Sequence, residues 1–404
     1  MNNKLIAIIV AVMVVACGSG IFIAMNQDGS KKAVFDETAF NTIGRMINDC
    51  SGIYIVADIL DPDAAIPTNK DTGKLFFIEE DGYYKVSKDN RDAWGGLILG
   101  DPEVHSIQHA MVADIANATG LQLQEYKEGT EVSSDKLYYV TDLSNFDLID
   151  KNESISGGIV WEPVYQKVLA ASTGDRFAEL TPTKKMVGWH TCSIIGANHE
   201  WLSEHADDAA RFLAAYMYCT DKVNEILKEK GDAYGKLIDD LMGVIKGYTE
   251  EQLKAGLENS SYVYADDANG SLGALKDDLA RFCDSLKESG LITSKNFKDS
   301  AKFADAFVDD SFSKKAAAGK YSKEDTITLR LPDVRDNPLL LPLLYGYMMD
   351  VFHKDYGITI EWVGGPIVAG DEVAKMLMNK EIDIGFFGVT PALEEMINGD
   401  HILV

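Results

Sequence analysis

Cysteine is scarce in this chain, which has five among its 404 residues. So few cysteines exclude a fold that depends on a disulfide framework, and no Cys-x-x-Cys spacing indicates a structural zinc site. His105 and His109 are four residues apart, but the helix there is predicted to begin near Ile107, so they are not expected to share the helix face that a metal pair needs. We therefore predict no metal and no cofactor.

The usual sequence patterns of enzymes are also missing. The chain has no Gly-x-Ser-x-Gly, no phosphate-binding loop ending in Gly-Lys-Ser/Thr, no His-Glu-x-x-His, and no Gly-x-Gly-x-x-Gly after a predicted strand. These absences favour a protein that binds a molecule over one that transforms it.

Basic residues are few: 38 Lys and Arg stand against 64 Asp and Glu, which gives a formal net charge of -26. A surface this acidic repels phosphate groups. We therefore expect no nucleic-acid partner and no simple electrostatic adhesion to anionic lipid.

One long apolar run is present, from Leu5 to Met25, and it contains no charged residue. About 20 apolar residues span a bilayer, so we assign residues 1–30 to a membrane anchor or signal peptide. Three interpretations stay open: an uncleaved anchor, lipidation of Cys17 after the lipobox-like Val14-Val-Ala, and a cleaved signal. Each of them places the folded part outside the cytoplasm.

The last eighty residues alternate between strand and helix patterns. Strands are predicted at 326–330, 357–363, 382–387 and 401–404, with helical runs between them. A β-α-β succession of this kind is typical of a parallel sheet, so the predicted fold class is α/β.

Three turns lead into predicted helices, at Gly364–Gly370, at Phe387–Pro391 with Thr390 as N-cap, and at Gly100–Ser106 with Ser106 as N-cap. Free N–H groups and the positive end of a helix attract anions, and ligands of open α/β sheets lie at the carboxyl ends of strands. These turns are therefore candidate ligand-binding points.

Four stretches resemble signatures of one family, the nitrate/sulfonate/taurine-type substrate-binding proteins of ABC transporters, with their relatives for thiamine-pyrimidine precursors. They are Asn337–Tyr347 (NPLLLPLLYGY), Glu381–Leu393 (EIDIGFFGVTPAL), Ser106–His109 (SIQH) and Gly158–Pro163 (GIVWEP). The first two open the chain in that family but come last here. The order implies a circular permutation, in which strand 401–404 would pair beside strand 51–57; a truncated tandem array is the alternative.

The resemblance implies a two-lobed, type II periplasmic-binding-protein-like fold. Lobe 1 would comprise residues 31–62, 188–312 and 325–404, and lobe 2 residues 63–187 with a hairpin insertion at 75–86. Residues 313–324 would be the permutation linker, and the hinges would lie near 58–62 and 186–190. The strands after Cys50 and Cys192 would come together, which leaves a disulfide or two buried thiols as alternatives.

Carried over to matching positions, the resemblance implies a set of ligand-binding residues at the cleft. Glu162, a carboxylate, would suit a ligand with a cationic amine. Asp333, Arg335 and Asp336 are more charged than this family leads one to expect and are candidates for setting specificity. The full candidate set is Thr390, Gly388, Ser106, Gln108, Trp161, Glu162, His190, Gly365 and Asn337.

The implied function is that of an extracytoplasmic, membrane-tethered receptor for a small anionic or zwitterionic solute, which closes by hinge motion. Its partners would be that solute and an ABC permease, with the receptor itself a monomer. The alternatives are an enzyme of the same fold related to pyrimidine synthesis, and a sensor or adhesion module that does not serve transport.

Overall fold

The computed structural model describes residues 34–48, 50–186, 191–288, 290–335, 337–365 and 370–403. Helices and strands are mixed throughout, which confirms the α/β class. The strands are β1 (Val34–Phe35), β2 (Phe40–Asn48), β3 (Ser51–Val56), β4 (Thr68–Asn69), β5 (Lys74–Leu75), β6 (Ile78–Glu80), β7 (Tyr83–Lys85), β8 (Ile98–Gly100), β9 (Gln122–Glu125), β10 (Lys136–Val140), β11 (Gly157–Trp161), β12 (Phe177–Pro182), β13 (Thr191–Asn198), β14 (Ser261–Tyr262), β15 (Ile327–Pro332), β16 (Ile358–Val363), β17 (Ile384–Gly388) and β18 (Ile402–Leu403).

Most of the helices cover the faces of the sheets. They are α1 (Arg91–Trp94), α2 (Ile107–Thr119), α3 (Phe146–Lys151), α4 (Val164–Ala171), α5 (His199–Glu204), α6 (Ala206–Glu229), α7 (Asp232–Val244), α8 (Glu250–Asn259), α9 (Gly273–Glu288), α10 (Ser300–Phe307), α11 (Ser311–Ala317), α12 (Leu341–Met348), α13 (Val351–Tyr356), α14 (Gly370–Met378) and α15 (Val389–Asn398). None of these described helices is both long enough and apolar enough to cross a membrane. The predicted anchor at residues 1–30 lies outside the described residues.

The six-stranded sheet has the order β12-β3-β11-β8-β10-β9. Its strands β11, β8, β10 and β9 are mutually parallel, whereas β3 is antiparallel to both of its neighbours. All six strands lie between residues 51 and 182, in the first half of the chain. Because β8, β10 and β11 are parallel, their carboxyl ends meet at one edge of the sheet.

The four-stranded sheet has the order β14-β2-β13-β17, and every neighbouring pair in it is antiparallel. The parallel pair β15-β16 lies beside it: the Asp383 N–H donates to the carbonyl of Arg330 at 2.9 Å, and the Arg330 N–H donates to the Asp383 carboxylate at 2.8 Å. The last eighty residues are thus joined to strands from much earlier in the chain.

The described strands change from one large sheet to the other twice along the chain. Strand β2 ends in the four-stranded sheet, and β3 begins in the six-stranded sheet after Cys50. The return runs from β12 to β13 through residues 187–190, which lie outside the described part. The first crossing therefore lies near residue 50, and not at the predicted hinge near 58–62.

Three sequence-based assignments need correction. Strand Ser51–Val56 belongs to the six-stranded sheet and not to the sheet that the last eighty residues join. Strand β18 pairs with β1 and not with β3. The first half of the predicted linker at 313–324 falls in α11, which packs on α6 through buried Phe312, Ser313 and Ala316, because a short amphipathic stretch gains more by packing than by remaining a tether.

The segment before residue 50 also differs from expectation. Residues 26–45 read as a polar tether turning helical near Glu37, but Phe40–Asn48 is a strand with all nine residues buried. Its position between β14 and β13 explains the burial. The hairpin in the 75–86 region is present, with β6 and β7 joined by Asp81 and Gly82, both at positive φ.

Candidate functional site

Two of the predicted turn-to-helix junctions meet each other directly. The Thr390 hydroxyl, fully buried in the first turn of α15, donates to the carbonyl oxygen of His105 at 2.7 Å. The N-cap of α15 is Gly388, not Thr390, so Thr390 is free to reach across. This contact joins the end of β17 to the turn that follows β8.

An acid–imidazole pair reinforces the same contact. His105 Nδ1 is hydrogen-bonded to Glu394 Oε2, and the Glu394 side chain is buried whereas the imidazole is half-exposed. Burial raises the pKa of the Glu394 carboxyl, and His105 opposes that shift. The second oxygen, Oε1, is buried with no hydrogen-bond partner.

Ser106 is the N-cap of α2, as predicted: its hydroxyl oxygen accepts from the His109 N–H at 3.1 Å and its O–H donates to the Glu103 carbonyl at 2.7 Å. The cap positions His109, whose Nδ1 lies 2.8 Å from a buried Asp101 carboxylate oxygen. Burial raises the pKa of Asp101. Both donor and acceptor capacity of Ser106 are therefore used within the turn.

A buried polar network surrounds Ser51, the first residue after the crossing at Cys50. Gln108 Nε2 donates to the Ser51 hydroxyl at 2.8 Å, and Asn259 Nδ2 donates to the Ser51 carbonyl at 3.3 Å. Gln108 and Asn259 are 151 positions apart in the sequence (259 − 108). The network therefore connects α2, α8 and the crossing.

Glu162 is the charged member of this network. Its Oε1 accepts from Asn259 Nδ2 at 2.6 Å and from Gln166 Nε2 at 2.9 Å, while Oε2 is buried with no hydrogen-bond partner. Burial raises the pKa of Glu162 to about 7, although the hydrogen bonds from Gln166 and Asn259 oppose the shift. This carboxyl titrates near neutral pH.

A cavity of about 10 Å³ lies against Glu162, where Pro163 faces Pro338 and Leu339. That volume is close to one probe sphere and holds at most a single water-sized group.

A second cavity, of about 350 Å³, lies farther along the same segment after β15, and α7 forms part of its wall. This volume falls at the lower end of the range for small-molecule sites. Asp333 and Arg335 line it, together with Leu241, Val244, Leu344, Tyr347 and Met348. The Arg335 Nε and Nη2 donate to the two Asp333 oxygens at 2.9 and 2.8 Å, which lowers the pKa of Asp333.

The other sequence-predicted residues have different positions. Trp161 is half-buried and packs against the apolar cluster that contains Tyr54, Tyr138 and Tyr165, which is a core position. Asn337 caps the short turn after β15 by accepting from the Leu339 N–H at 3.0 Å. Gly365 is exposed, and no described atom lies within 4 Å of where its Cβ would be, so it is not brought to the others. His190 and Asp336 lie outside the described residues.

Carboxyl groups dominate the charge around these contacts. Burial raises the pKa values of Asp101, Glu103, Glu162 and Glu394, and Asp371 adds repulsion at Glu103. The helix N-termini that were predicted to bind an anion therefore lie among carboxyl groups, which oppose the binding of a bare anion. Within the described residues, no group of three or more His, Cys, Asp or Glu side chains is arranged to hold a metal ion.

The sequence does not indicate which residues are the hydrogen-bond partners of His105 and Glu162. Glu394 and Asn259 carry no local signal, because their contacts to His105 and Glu162 span 289 and 97 residues. For His105 the sequence suggests only a metal pair with His109, which the predicted start of the helix near Ile107 disfavours.

No family model matches the chain, and no curated protein or solved structure shows significant similarity to it.

Proposed function

We propose that this protein is an extracytoplasmic solute-binding receptor of an ABC importer, with two lobes that close on a small ligand by hinge motion. The observation that carries the proposal is the contact between Thr390 and His105. It joins turn-to-helix junctions from two sheets, and the described strands change sheet at residue 50 and again between β12 and β13. A hinge consists of a few loop or strand-end residues that absorb a change in backbone angles, and these two connections would serve as hinges.

A circular permutation of the family pattern accounts for the order of the segments. Strand β17, from the block that resembles the family's beginning, pairs with β13 over five residues. Strands β1 and β18 also pair, so the two ends of the described chain lie side by side. Adjacent ends are what a permuted protein requires. Lobe 1 would then contain the four-stranded sheet and β15-β16, and lobe 2 the six-stranded sheet.

The charge of the site favours a zwitterionic ligand among the anionic and zwitterionic candidates. The 350 Å³ cavity is lined by both a carboxylate, Asp333, and a guanidinium, Arg335, which would pair with the amine and the acidic group of one ligand. The buried Glu162 carboxyl disfavours a bare anion such as nitrate, but the cavity of about 10 Å³ beside it admits no more than a water-sized group. An aminosulfonate or an aminopyrimidine combines the required groups.

The remaining parts of the proposal come from the sequence. The apolar run from Leu5 to Met25 would tether the receptor to the membrane, and an ABC permease would receive the closed form. The receptor would act as a monomer.

Isothermal titration of the full chain, purified in detergent, tests the proposal with taurine, an alkanesulfonate, nitrate and 4-amino-2-methylpyrimidine as probes. We expect micromolar or tighter binding of taurine or the aminopyrimidine, and at least tenfold weaker binding by Asp333→Asn, which removes the carboxylate that lines the 350 Å³ cavity. Glu153→Gln, at an exposed position, is the matched control and should bind as the unmodified protein does.

Mass spectrometry of small molecules that co-purify with the chain extends the test beyond the chosen probes. Absence of any bound solute and of binding to all four probes would contradict the receptor proposal. Conversion of the aminopyrimidine to a product would identify an enzyme of the same fold instead.

A further inference from the structure

A cysteine lies at or directly beside each of the two points where the chain changes from one sheet to the other. Cys50 lies between β2 and β3, and Cys192 is the second residue of β13, directly after the return crossing. Their Sγ atoms are 3.1 Å apart although the residues are 142 positions apart in sequence. The other two described cysteines, Cys219 and Cys283, lie in α6 and α9.

The surroundings hold the two sulfurs together. Cys50 is fully buried and Cys192 is 6% exposed. The Cys50 carbonyl accepts from the Glu162 N–H at 2.7 Å, which fixes the first crossing against the end of β11. Cys192 is anchored by the pairing of β13 with β2 on one side and β17 on the other. A shift of about 1 Å would bring the sulfurs to the bonding distance of roughly 2.05 Å.

We propose that Cys50 and Cys192 form a disulfide that fastens the two crossings to each other. The bond would hold the crossings at a fixed separation while leaving the sheets able to rotate about them. This inference requires an oxidising compartment and so shares the extracytoplasmic location with the proposed function, but it does not depend on any ligand.

The oxidant is a disulfide, either oxidised glutathione or a thiol–disulfide oxidoreductase. One cysteine thiolate attacks a sulfur of that disulfide to form a mixed disulfide and releases one thiol. The second cysteine thiolate attacks the protein sulfur and releases the other thiol. Two S–H bonds are lost, one S–S bond forms in the protein, and the oxidant's S–S bond is reduced to two thiols. Because both cysteines are buried in the fold, the exchange precedes completion of packing.

Peptide mapping tests the bond directly. The full chain, exported from the cell, is alkylated with N-ethylmaleimide under denaturing conditions and digested with trypsin without reduction. The expected result is a linked pair of peptides, Met46–Lys70 with Met186–Arg211, which separates on reduction. Recovery of Cys50 and Cys192 as alkylated thiols in exported protein would overturn the proposal.

Matched variants distinguish a specific bond from random oxidation. Cys219→Ser should retain the linked peptides, because Cys219 is buried and burial raises the pKa of its thiol to about 12, which suppresses reaction. Cys50→Ser should lose them. Linked peptides that join Cys219 or Cys283 to Cys50 would contradict the assignment.

Refolding in a glutathione redox buffer separates this inference from the receptor proposal. The bond should form in vitro whether or not a solute binds, and reduction should lower the Tm by on the order of 5 °C in the unmodified chain. The Cys50→Ser/Cys192→Ser variant should show no change in Tm on reduction. A chain that binds taurine but forms no bond would refute the disulfide alone, and a chain that forms the bond but binds no solute would refute the receptor alone.

Discussion

Thr390 donates its hydroxyl proton to the carbonyl oxygen of His105, 2.7 Å away and 285 residues earlier in the chain. The bond is buried on the Thr390 side and joins two helix-opening turns from different sheets. The sequence of either turn by itself indicates only a helix N-cap. Their contact is a property of the whole fold, and the strength of this arrangement of the two turns is measurable.

Thr390→Val should weaken that arrangement while keeping the shape of the side chain. Loss of one buried hydrogen bond lowers the free energy of unfolding by about 1 kcal/mol. Urea denaturation measures this change, and hydrogen exchange should quicken at amides near residues 105 and 388. Thr359→Val, at an exposed position on β16, is the control and should change neither quantity. Equal effects of the two substitutions would contradict the role of Thr390.

His105→Ala should destabilise the protein because Glu394 then loses its partner inside the fold. The pKa of Glu394 is already raised by burial, and without His105 it rises further. A raised carboxyl pKa means that the folded state binds the proton more tightly than the unfolded state does. The free energy of unfolding that His105→Ala removes therefore grows as the pH rises above the pKa of Glu394 in the unfolded chain. We expect a loss of about 1 kcal/mol at pH 7.5 and much less at pH 4.5.

A double-mutant cycle checks this explanation. Glu394→Gln removes the charge that His105 compensates, so His105→Ala should cost little in that background. His353→Ala, at an exposed position of α13, should have no pH-dependent effect. A loss from His105→Ala that does not vary with pH would show that packing, and not the carboxyl, is responsible.

Asp383 should be necessary for docking the parallel pair β15-β16. Its carboxylate accepts from the Arg330 backbone at 2.8 Å, from Arg330 Nε at 3.2 Å and from Arg330 Nη2 at 2.5 Å. Asp383→Ala removes all three bonds and is expected to lower the free energy of unfolding by about 2 kcal/mol. Urea denaturation measures the loss, with Asp277→Ala, at an exposed position of α9, as the control. A loss no larger than that of Asp277→Ala would mean that apolar packing alone holds the pair.

Local sequence chemistry predicts the parts of this fold that depend on neighbours in the chain. The Ser106 cap, the Asp81-Gly82 turn and the Thr249 capping box with Gln252 are all present, because each is determined by residues within a few positions. The same holds for the order of strands and helices in the last eighty residues.

Strand β2 shows where local chemistry fails. Phe40, Ile43, Met46 and Ile47 have a spacing close to that of a helix, and polar residues fill the gaps. Two of those polar residues have distant partners: Asn41 Nδ2 donates to the Ala306 carbonyl at 3.1 Å, and Arg45 pairs with Asp266 at 3.2 Å. Thr42 Oγ1 and Asn48 Oδ1 are buried with no hydrogen-bond partner among the described residues. Partners more than 200 residues away cannot be predicted from the local pattern of apolar and polar residues.

The candidate site depends both on local sequence patterns and on contacts between residues far apart in the chain. Glu162 was singled out from its own motif, but its pKa depends on burial beneath α8 and on Asn259, which no local pattern identifies. Its likeness to a family signature predicted a position at a cleft. The actual cavity beside it is only about 10 Å³, since Pro338 and Leu339 pack close to it.

Glu162→Gln should stabilise the protein at alkaline pH and leave it unchanged at acidic pH. Burial raises the pKa of Glu162 from 4.5 to about 7, so the folded state holds a proton that the unfolded state releases between these values. The contribution of the Glu162 carboxyl to the free energy of unfolding is therefore fully present below pH 4.5. It falls as the pH rises from 4.5 to 7 and does not change further above pH 7. The accumulated penalty above pH 7 is about 3 kcal/mol, and glutamine avoids it because it carries no charge.

Urea denaturation from pH 4.5 to 8.5 measures this difference between Glu162→Gln and the unmodified chain. The glutamine oxygen can still accept from Asn259 and Gln166, and its amide replaces the carboxylate oxygen that lacks a partner. Glu153→Gln, at an exposed turn, should show no such divergence. A Glu162→Gln variant that is less stable than the unmodified chain at pH 8 would show that Glu162 is charged and compensated in the fold, because only a paired carboxylate loses free energy when its charge is removed.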